Sequence, residues 1–273
     1  MSALLDLRQT SGLDLKLDTK NCKLIFGKDL TVTLPAIRKI QEMQEVLLDS
    51  SLRKPEELYY MYRDVHPVKD TDLLKKNNLR YDVTVIKPDR LGRELMKTAG
   101  HYHEASFGEL YEVLEGEAFC LLQKPNLHDY RIIEDVILVK AHAGQKIMIP
   151  PGYGHILVNP GPGYLVTSNW VSSAFNSKYE LYKEARGAAY FLVSTDADDK
   201  LGFVENSFFK QLTPIRFVKP ARELERFGLK ENSPIYPIIT EDAKKLEFLN
   251  YPQSYDYSDI FNVVETKQIN LHL

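Results

Sequence analysis

Between Tyr81 and Val171 the chain passes through seven short β-rich stretches, "YDVTVI", "ELYEVL", "EAFCLLQ", "IIEDVILVKA", "QKIMIP", "HILVN" and "YLVTSNWV". They are punctuated by "KPD", "EGE", "KPN", "HAGQ", "PPGYG" and "NPGPG". Runs of this length, rich in β-branched and aromatic residues and broken by turn formers, pack as an antiparallel sandwich or barrel. The expected fold class is therefore mainly β.

Composition narrows the partners. The 273 residues are 44% hydrophobic and 27% charged, with a net charge of -3. Those fractions suit a soluble globular protein, and the charge gives no electrostatic footprint for nucleic acid, so small molecules are the expected partners. No stretch approaches the roughly 18 to 20 consecutive apolar residues that cross a membrane. The start, "MSALLDLRQTSGLDLKLD", carries an acid early and lacks the long apolar core of an export leader, so a cytoplasmic protein is expected. Cys22 and Cys120 are the only cysteines. They form no CxxC motif and are expected to be free thiols.

Three regions follow. Residues 1–79 are read as N-terminal strands, in "LDLKLD" and "LTVTLP", and a helix packing on the barrel. In "PAIRKIQEMQEVLLDSSLRK", Ile37, Ile40, Met43 and Leu47 stand near helical spacing behind a proline, which predicts an amphipathic helix of about four turns. Residues 80–194 form the barrel core. Toward its end Ser177, Glu180 and Gly187 read as a capping box and a C-terminal glycine around a short helix, and "AAYFLVS" returns to strand. Residues 195–273 are a C-terminal extension. It opens on "TDADDKLG", a polar turn without the ligand spacing of a calcium loop. Short helices are predicted between Pro220 and Gly228 and over "TEDAKKLEFL".

The chemistry sits in "TAGHYHEASFGELYEVLEG", Thr98 to Gly116. Side chains alternate faces along a strand, so His101 and His103 point the same way. Glu109, Tyr111 and Val113 share a face of the next strand, and "IPPGYGHILV" brings His155 in after a sharp turn. Three neutral imidazoles and one carboxylate suit Fe(II), Mn(II), Ni(II), Co(II) or Zn(II), with coordination positions left open for catalysis. His66, His128, His142 and His272 have no paired spacing and are not expected to be ligands.

The run G-H-x-H, then E-x-Y-x-V-L-x-G, then P-P-G-x-x-H resembles the cupin superfamily. More narrowly, residues 80–170 look like the cupin-type glucose-6-phosphate isomerases of archaea and some bacteria. The resemblance implies a double-stranded β-helix, or jelly-roll barrel, with flanking α-helices. It implies one divalent transition metal per chain, Fe(II) foremost, on His101, His103, Glu109 and His155. Thr84, Thr98 and Gly100 align with positions lining a sugar-phosphate pocket, and Tyr111 with a tyrosine beside the substrate. The family's His-Asp-Tyr triplet reads Ser177, Lys178 and Tyr179 here, so the tyrosine carries over and the histidine does not. The loop from His103 to Glu109 is one residue shorter than in the archaeal pattern, and the C-terminal extension exceeds it. A homodimer is implied, with the N-terminal strands as candidate exchange elements.

The implied reaction moves a hydrogen between C1 and C2 of glucose 6-phosphate or fructose 6-phosphate, a step of glycolysis and gluconeogenesis. Glu109 would serve as base with Tyr111 as proton relay, or as ligand alone in a hydride shift. Phosphate donors are expected from Thr84 and Thr98, while the run Lys87, Arg90, Arg93 and Lys97 reads either as a further donor, Lys97 last because it points opposite Thr98, or as a solvated face. The rivals are an isomerase of mannose 6-phosphate or a keto-uronate, an iron-dependent dioxygenase with an apolar pocket, and a non-catalytic sugar-binding cupin.

Overall fold

The computed structural model describes residues 4–104, 107–195, 201–220, 224–230 and 232–263. A small N-terminal sheet joins β1 (Leu4–Asp6), β2 (Leu15–Asp18) and β3 (Lys23–Phe26). The next strands are β4 (Ala36–Lys39), β5 (Glu57–Tyr62), β6 (Leu79–Ile86), β7 (Arg90–Leu91), β8 (Glu94–Lys97) and β9 (Tyr102–His103). The barrel continues with β10 (Glu109–Glu115), β11 (Glu117–Pro125), β12 (Ile132–His142), β13 (Lys146–Ile149), β14 (Gly154–Asn159) and β15 (Leu165–Ser172). After it come β16 (Ser177–Lys178), β17 (Tyr190–Ser194), β18 (Leu201–Glu205), β19 (Gln211–Leu212), β20 (Ile215–Lys219) and β21 (Asn262–Val263).

Two curled sheets make the jelly-roll barrel expected of a cupin. One runs β13-β10-β15-β6-β5-β4, antiparallel throughout. The other follows β18-β17-β8-β14-β11-β12-β20-β21, with β20 parallel to β12. All seven sequence runs of the core are strands.

Alternation along β10 shows how the sheets divide the interior. Tyr111 and Val113 face the core between the sheets, while Leu110 and Leu114 face a second core on the far side of the six-stranded sheet. That outer core is closed by Leu7, Leu15 and Leu17 from the N-terminal sheet and by Phe227, Tyr236 and Phe248 from the C-terminal region. Among the described residues no helix is long and apolar enough to cross a membrane.

Several expectations are corrected. No four-turn helix follows Pro35. Ala36–Lys39 is a strand paired with β5, and single 3₁₀ turns follow at Ile40–Glu42 and Gln44–Val46. Ile40, Met43 and Val46 are buried at every third residue, which is the 3₁₀ period rather than the α period. "LTVTLP" is no strand. Leu30 makes one isolated bridge to Pro67, and Val32 and Leu34 are 79% and 88% exposed, so the alternation has no core to face.

The helix Glu180–Glu184 exists, but Tyr179 precedes it without a side-chain cap, because Ser177 is engaged in β16 opposite His103. Between Pro220 and Gly228 there is one 3₁₀ turn, Glu225–Phe227, ended by left-handed Gly228. "TEDAKKLEFL" begins within an α-turn, Ile238–Asp242, and tightens to 3₁₀ over Ala243–Leu249. Most of the polar turn near 195–202, residues 196–200, lies outside the described residues.

Candidate functional site

His101 and His155 are placed by one antiparallel bridge. The His101 amide donates to the His155 carbonyl at 3.3 Å and the His155 amide to the His101 carbonyl at 3.1 Å. The two rings consequently lie 4.5 Å apart between centroids. Gly100 leads into this bridge with φ +79°, and a Cβ there would stand 2.5 Å from Ile156 Cγ2 and the Tyr182 ring. Only glycine combines that backbone with that clearance. His103 lies in β9, held by β16, and Glu109 opens β10 between Ile149 and Val171.

The ligand atoms these four residues offer lie within 4.8 Å of one another. His103 Nε2 is 3.2 Å from His101 Nε2 and 3.1 Å from Glu109 Oε2, and His155 Nε2 is 3.2 Å from the same oxygen. His103 Nδ1 is 2.8 Å from the Phe107 carbonyl. A carbonyl only accepts, so Nδ1 donates, and in the neutral ring Nε2 carries the lone pair. A lone pair aimed at a carboxylate oxygen and a second imidazole nitrogen is repulsive by itself. It becomes favourable when a cation lies among them, and a backbone carbonyl behind a ligating histidine is the usual support. The donor set fits a divalent transition metal.

The electrostatics agree. Burial, reinforced by the neighbouring His155 and His103, pushes His101 well below its ordinary pKa, and burial also lowers His155. Both rings are thus neutral near pH 7, the form that coordinates. Burial opposes ionisation of Glu109, but without a metal the protons that His103 and His155 share with it outweigh burial and hold the carboxyl well below its usual range, a role that a cation among the lone pairs takes over. Tyr111 is driven well above its ordinary value by burial and then by Glu109, so it stays a phenol. Its hydroxyl is 3.3 Å from His155 Nε2.

These residues face a cavity of about 360 Å³ that is also lined by Thr84, Thr98, Gly100 and Tyr179. The four candidate ligands, Tyr111, Thr84, Thr98, Gly100 and Tyr179 therefore border one space. Tyr179 packs on His101 at 5.5 Å, and Thr98 Oγ1 accepts the Leu157 amide at 3.0 Å. His66, His128 and His142 stand apart from the cluster, and His272 lies outside the described residues. Cys22 and Cys120 are free and buried.

The basic run is a correction, since none of Lys87, Arg90, Arg93 and Lys97 lines the cavity. Lys87 pairs with Asp89 at 2.9 Å. Lys97 is buried, donating to the Val46 carbonyl at 2.7 Å and pairing with Glu94. The cations that do line it, Arg63 and Arg80, were not expected, nor was their partner Asp82. The available signal was alternation: Arg80, Asp82 and Thr84 share one face of β6.

Comparison with known proteins places this arrangement. The family described as Glucose-6-phosphate isomerase (GPI) matches residues 37–202. A glucose-6-phosphate isomerase of Thermococcus onnurineus is 28% identical over 131 residues, covering 46% of this chain and 62% of that protein. One of Thermococcus kodakarensis is 23% identical over 212 residues, covering 76% of this chain and 100% of that protein. The chain thus spans under two thirds of the first of these relatives. Among solved structures, oxalate decarboxylase from Bacillus subtilis aligns with a TM-score of 0.32 and 16% identity, over 44% of this chain and 28% of that one, too distant to argue from.

Proposed function

The chain belongs to the glucose-6-phosphate isomerase family, and on that premise we propose that it interconverts glucose 6-phosphate and fructose 6-phosphate in the cavity around His101, His103, Glu109 and His155. The observation that carries the reading is the convergence of three imidazole nitrogens and one carboxylate oxygen at the wall of a polar cavity. We assign those four residues to one divalent transition metal per chain, Fe(II) first. When bound, that ion supplies a Lewis acid for the sugar oxygens at C1 and C2.

The chain's own groups do the rest. Glu109, held ionised, is the carboxylate beside the reacting carbons and can hold the proton that leaves one of them. Tyr111, held protonated, donates a hydrogen bond to a sugar oxygen on the same side. Thr84 and Thr98 offer hydroxyls along the cavity, and Tyr179, packed on His101, limits water at that wall. Arg63, Arg80, Asp82, Thr84 and Asn169 give the cavity a charged and polar lining, which favours a sugar phosphate over the apolar substrate of a dioxygenase. We further propose a homodimer.

The test is turnover of fructose 6-phosphate by the metal-loaded protein, with mannose 6-phosphate and unphosphorylated fructose in parallel. We expect formation of glucose 6-phosphate, preferred over both alternatives and lost in His103→Ala. Turnover of neither phosphate with any of the five metals would remove the isomerase assignment.

A further inference from the structure

We propose that Tyr102 and Gln123 are positioning residues for the four-residue cluster. With Tyr182 they form an aromatic wall on the reverse face of the strands that carry the histidines, and this wall sets how tightly those imidazoles hold a divalent metal. The inference rests on the assignment of the cluster to a metal, not on the identity of the sugar phosphate.

Alternation puts the wall behind the ligands. His101 and His103 line the cavity, so Tyr102 between them points away from it. Across β11 and β14, Leu122 is opposite His155 and Gln123 is opposite Gly154, so Gln123 and Gly154 share the face that His155 leaves. Tyr102 lies on that face, where a Cβ at Gly154 would stand 2.5 Å from its Cε1. The ring thus packs on the backbone directly before His155. Tyr182 does the same directly before His101, since a Cβ at Gly100 would stand 2.5 Å from Tyr182 Cε1. The two rings pack on each other with centroids 5.2 Å apart. Each glycine that precedes a histidine of the His101–His155 bridge is therefore covered by one tyrosine ring, and the bridge is braced on both of its strands.

Gln123 fixes the wall in place. It is buried, and its Oε1 accepts the Ala189 amide at 2.7 Å. A backbone amide only donates, which settles the orientation of the side chain and leaves Nε2 to donate to the Tyr102 hydroxyl at 2.7 Å. The Tyr102 ring is thereby tied through β11 to the chain entering β17. The Tyr182 hydroxyl has no hydrogen-bond partner among the described residues, so that ring acts by packing alone. His155 is the ligand that needs such support most. His103 Nδ1 has the Phe107 carbonyl behind it, whereas His155 Nδ1 is buried without a partner among the described residues. A ligating histidine is ordinarily aimed by a hydrogen bond from its second nitrogen. Where that bond is missing, the aim of the ring depends on how firmly its backbone is held, and the Tyr102 ring on Gly154 holds it.

The test reads metal binding without turnover. Chelator-stripped protein is loaded with Co(II), whose visible absorption reports ligand geometry, and affinity is measured by chelator competition in the parent, Gln123→Leu, Tyr102→Phe and Tyr236→Phe. The last deletes a buried phenol bond to Asp70, 2.8 Å long, in the outer core and is the control for lost stability. We expect Gln123→Leu to weaken Co(II) binding about 10- to 100-fold and to alter its spectrum. Tyr102→Phe, which keeps the ring, should weaken binding about threefold or more, and Tyr236→Phe should match the parent. Unchanged affinity and spectrum in Gln123→Leu and Tyr102→Phe would overturn the wall, and Tyr102→Phe alone decides if Gln123→Leu does not fold. An equal loss in Tyr236→Phe and Tyr102→Phe would also overturn it, because stability would then be the cause. If the parent binds one Co(II) per chain and the variants lose it, yet no hexose phosphate is turned over, the isomerase reading falls and the wall stands. If the parent isomerises and the variants bind Co(II) equally well, the wall alone falls. If the parent binds no metal, the assignment of the cluster and the wall fall together.

Discussion

At His103 one hydrogen bond decides what the ring can do. Donation from Nδ1 to the Phe107 carbonyl leaves Nε2 as a lone pair beside Glu109, His101 and, across the cluster, His155. His101 and His103 were legible because their spacing brings them to one face, and Glu109 and His155 because they complete the motif pattern G-H-x-H, E-x-Y-x-V-L-x-G, P-P-G-x-x-H. Arg80 shares the β6 face of Thr84 but was not singled out among many arginines, and Arg63, just past the end of β5, carries no such signal. Tyr111→Phe removes a hydroxyl held protonated by burial, and kcat should fall about 10- to 100-fold with metal content unchanged; an unaltered kcat would exclude Tyr111 from proton handling. In metal-stripped protein, His101 and His155 stay neutral when folded but take a proton near pH 6.5 when unfolded. The unfolded state then binds more protons below that pH, so stability is full above about 6.5 and falls on acidification, by up to about 1.4 kcal/mol per pH unit for each ring. A urea midpoint that is flat between pH 8 and 5.5 would contradict this.

The strand β10 shows how one element serves two interiors. Its inner face carries Glu109 and Tyr111, and its outer face carries Glu112, which pairs with buried Lys146 at 3.2 Å and accepts the Ile235 amide at 2.9 Å. Removing one partner of a buried pair strands the other. Glu112→Ala should therefore cost about 3–5 kcal/mol in denaturant unfolding, and the joint replacement Glu112→Leu, Lys146→Leu clearly less. Equal losses in the two would show that Lys146 does not depend on Glu112. Elements with an unambiguous period, such as "YDVTVI" and "HILVN", could be read from sequence. The segment after Pro35 could not, since three-residue and 3.6-residue spacing coincide over so few turns and its N-terminal part is settled by pairing with β5. Ser177 likewise fits a capping box on paper, and only the strand beside His103 outcompetes it.

Over the whole molecule, the six-stranded sheet is covered on both faces, with the site in the inner core and Tyr81, Trp170 and Tyr236 clustered in the outer one at 5.0 to 5.5 Å between ring centroids. Trp170 Nε1 donates to the Ile235 carbonyl at 2.9 Å, so the C-terminal region is fastened to the back of the sheet that carries Glu109. The train of β-runs made the barrel legible, but β4, β5 and β20 join its sheets through pairings between distant segments, which periodicity does not record. Tyr236→Ala should cost about 3–5 kcal/mol, read as a lower urea midpoint; an unchanged midpoint would mean that the C-terminal region does not share the barrel's cooperative unfolding. The central claim is that a single ion held by His101, His103, Glu109 and His155 makes the chain an isomerase. Its most direct test is to strip the protein with chelator, titrate Fe(II) back anaerobically and follow conversion of fructose 6-phosphate. Activity should rise linearly and break at one equivalent per chain, with no recovery in His103→Ala; full activity in the stripped protein, or equal recovery in the variant, would contradict it.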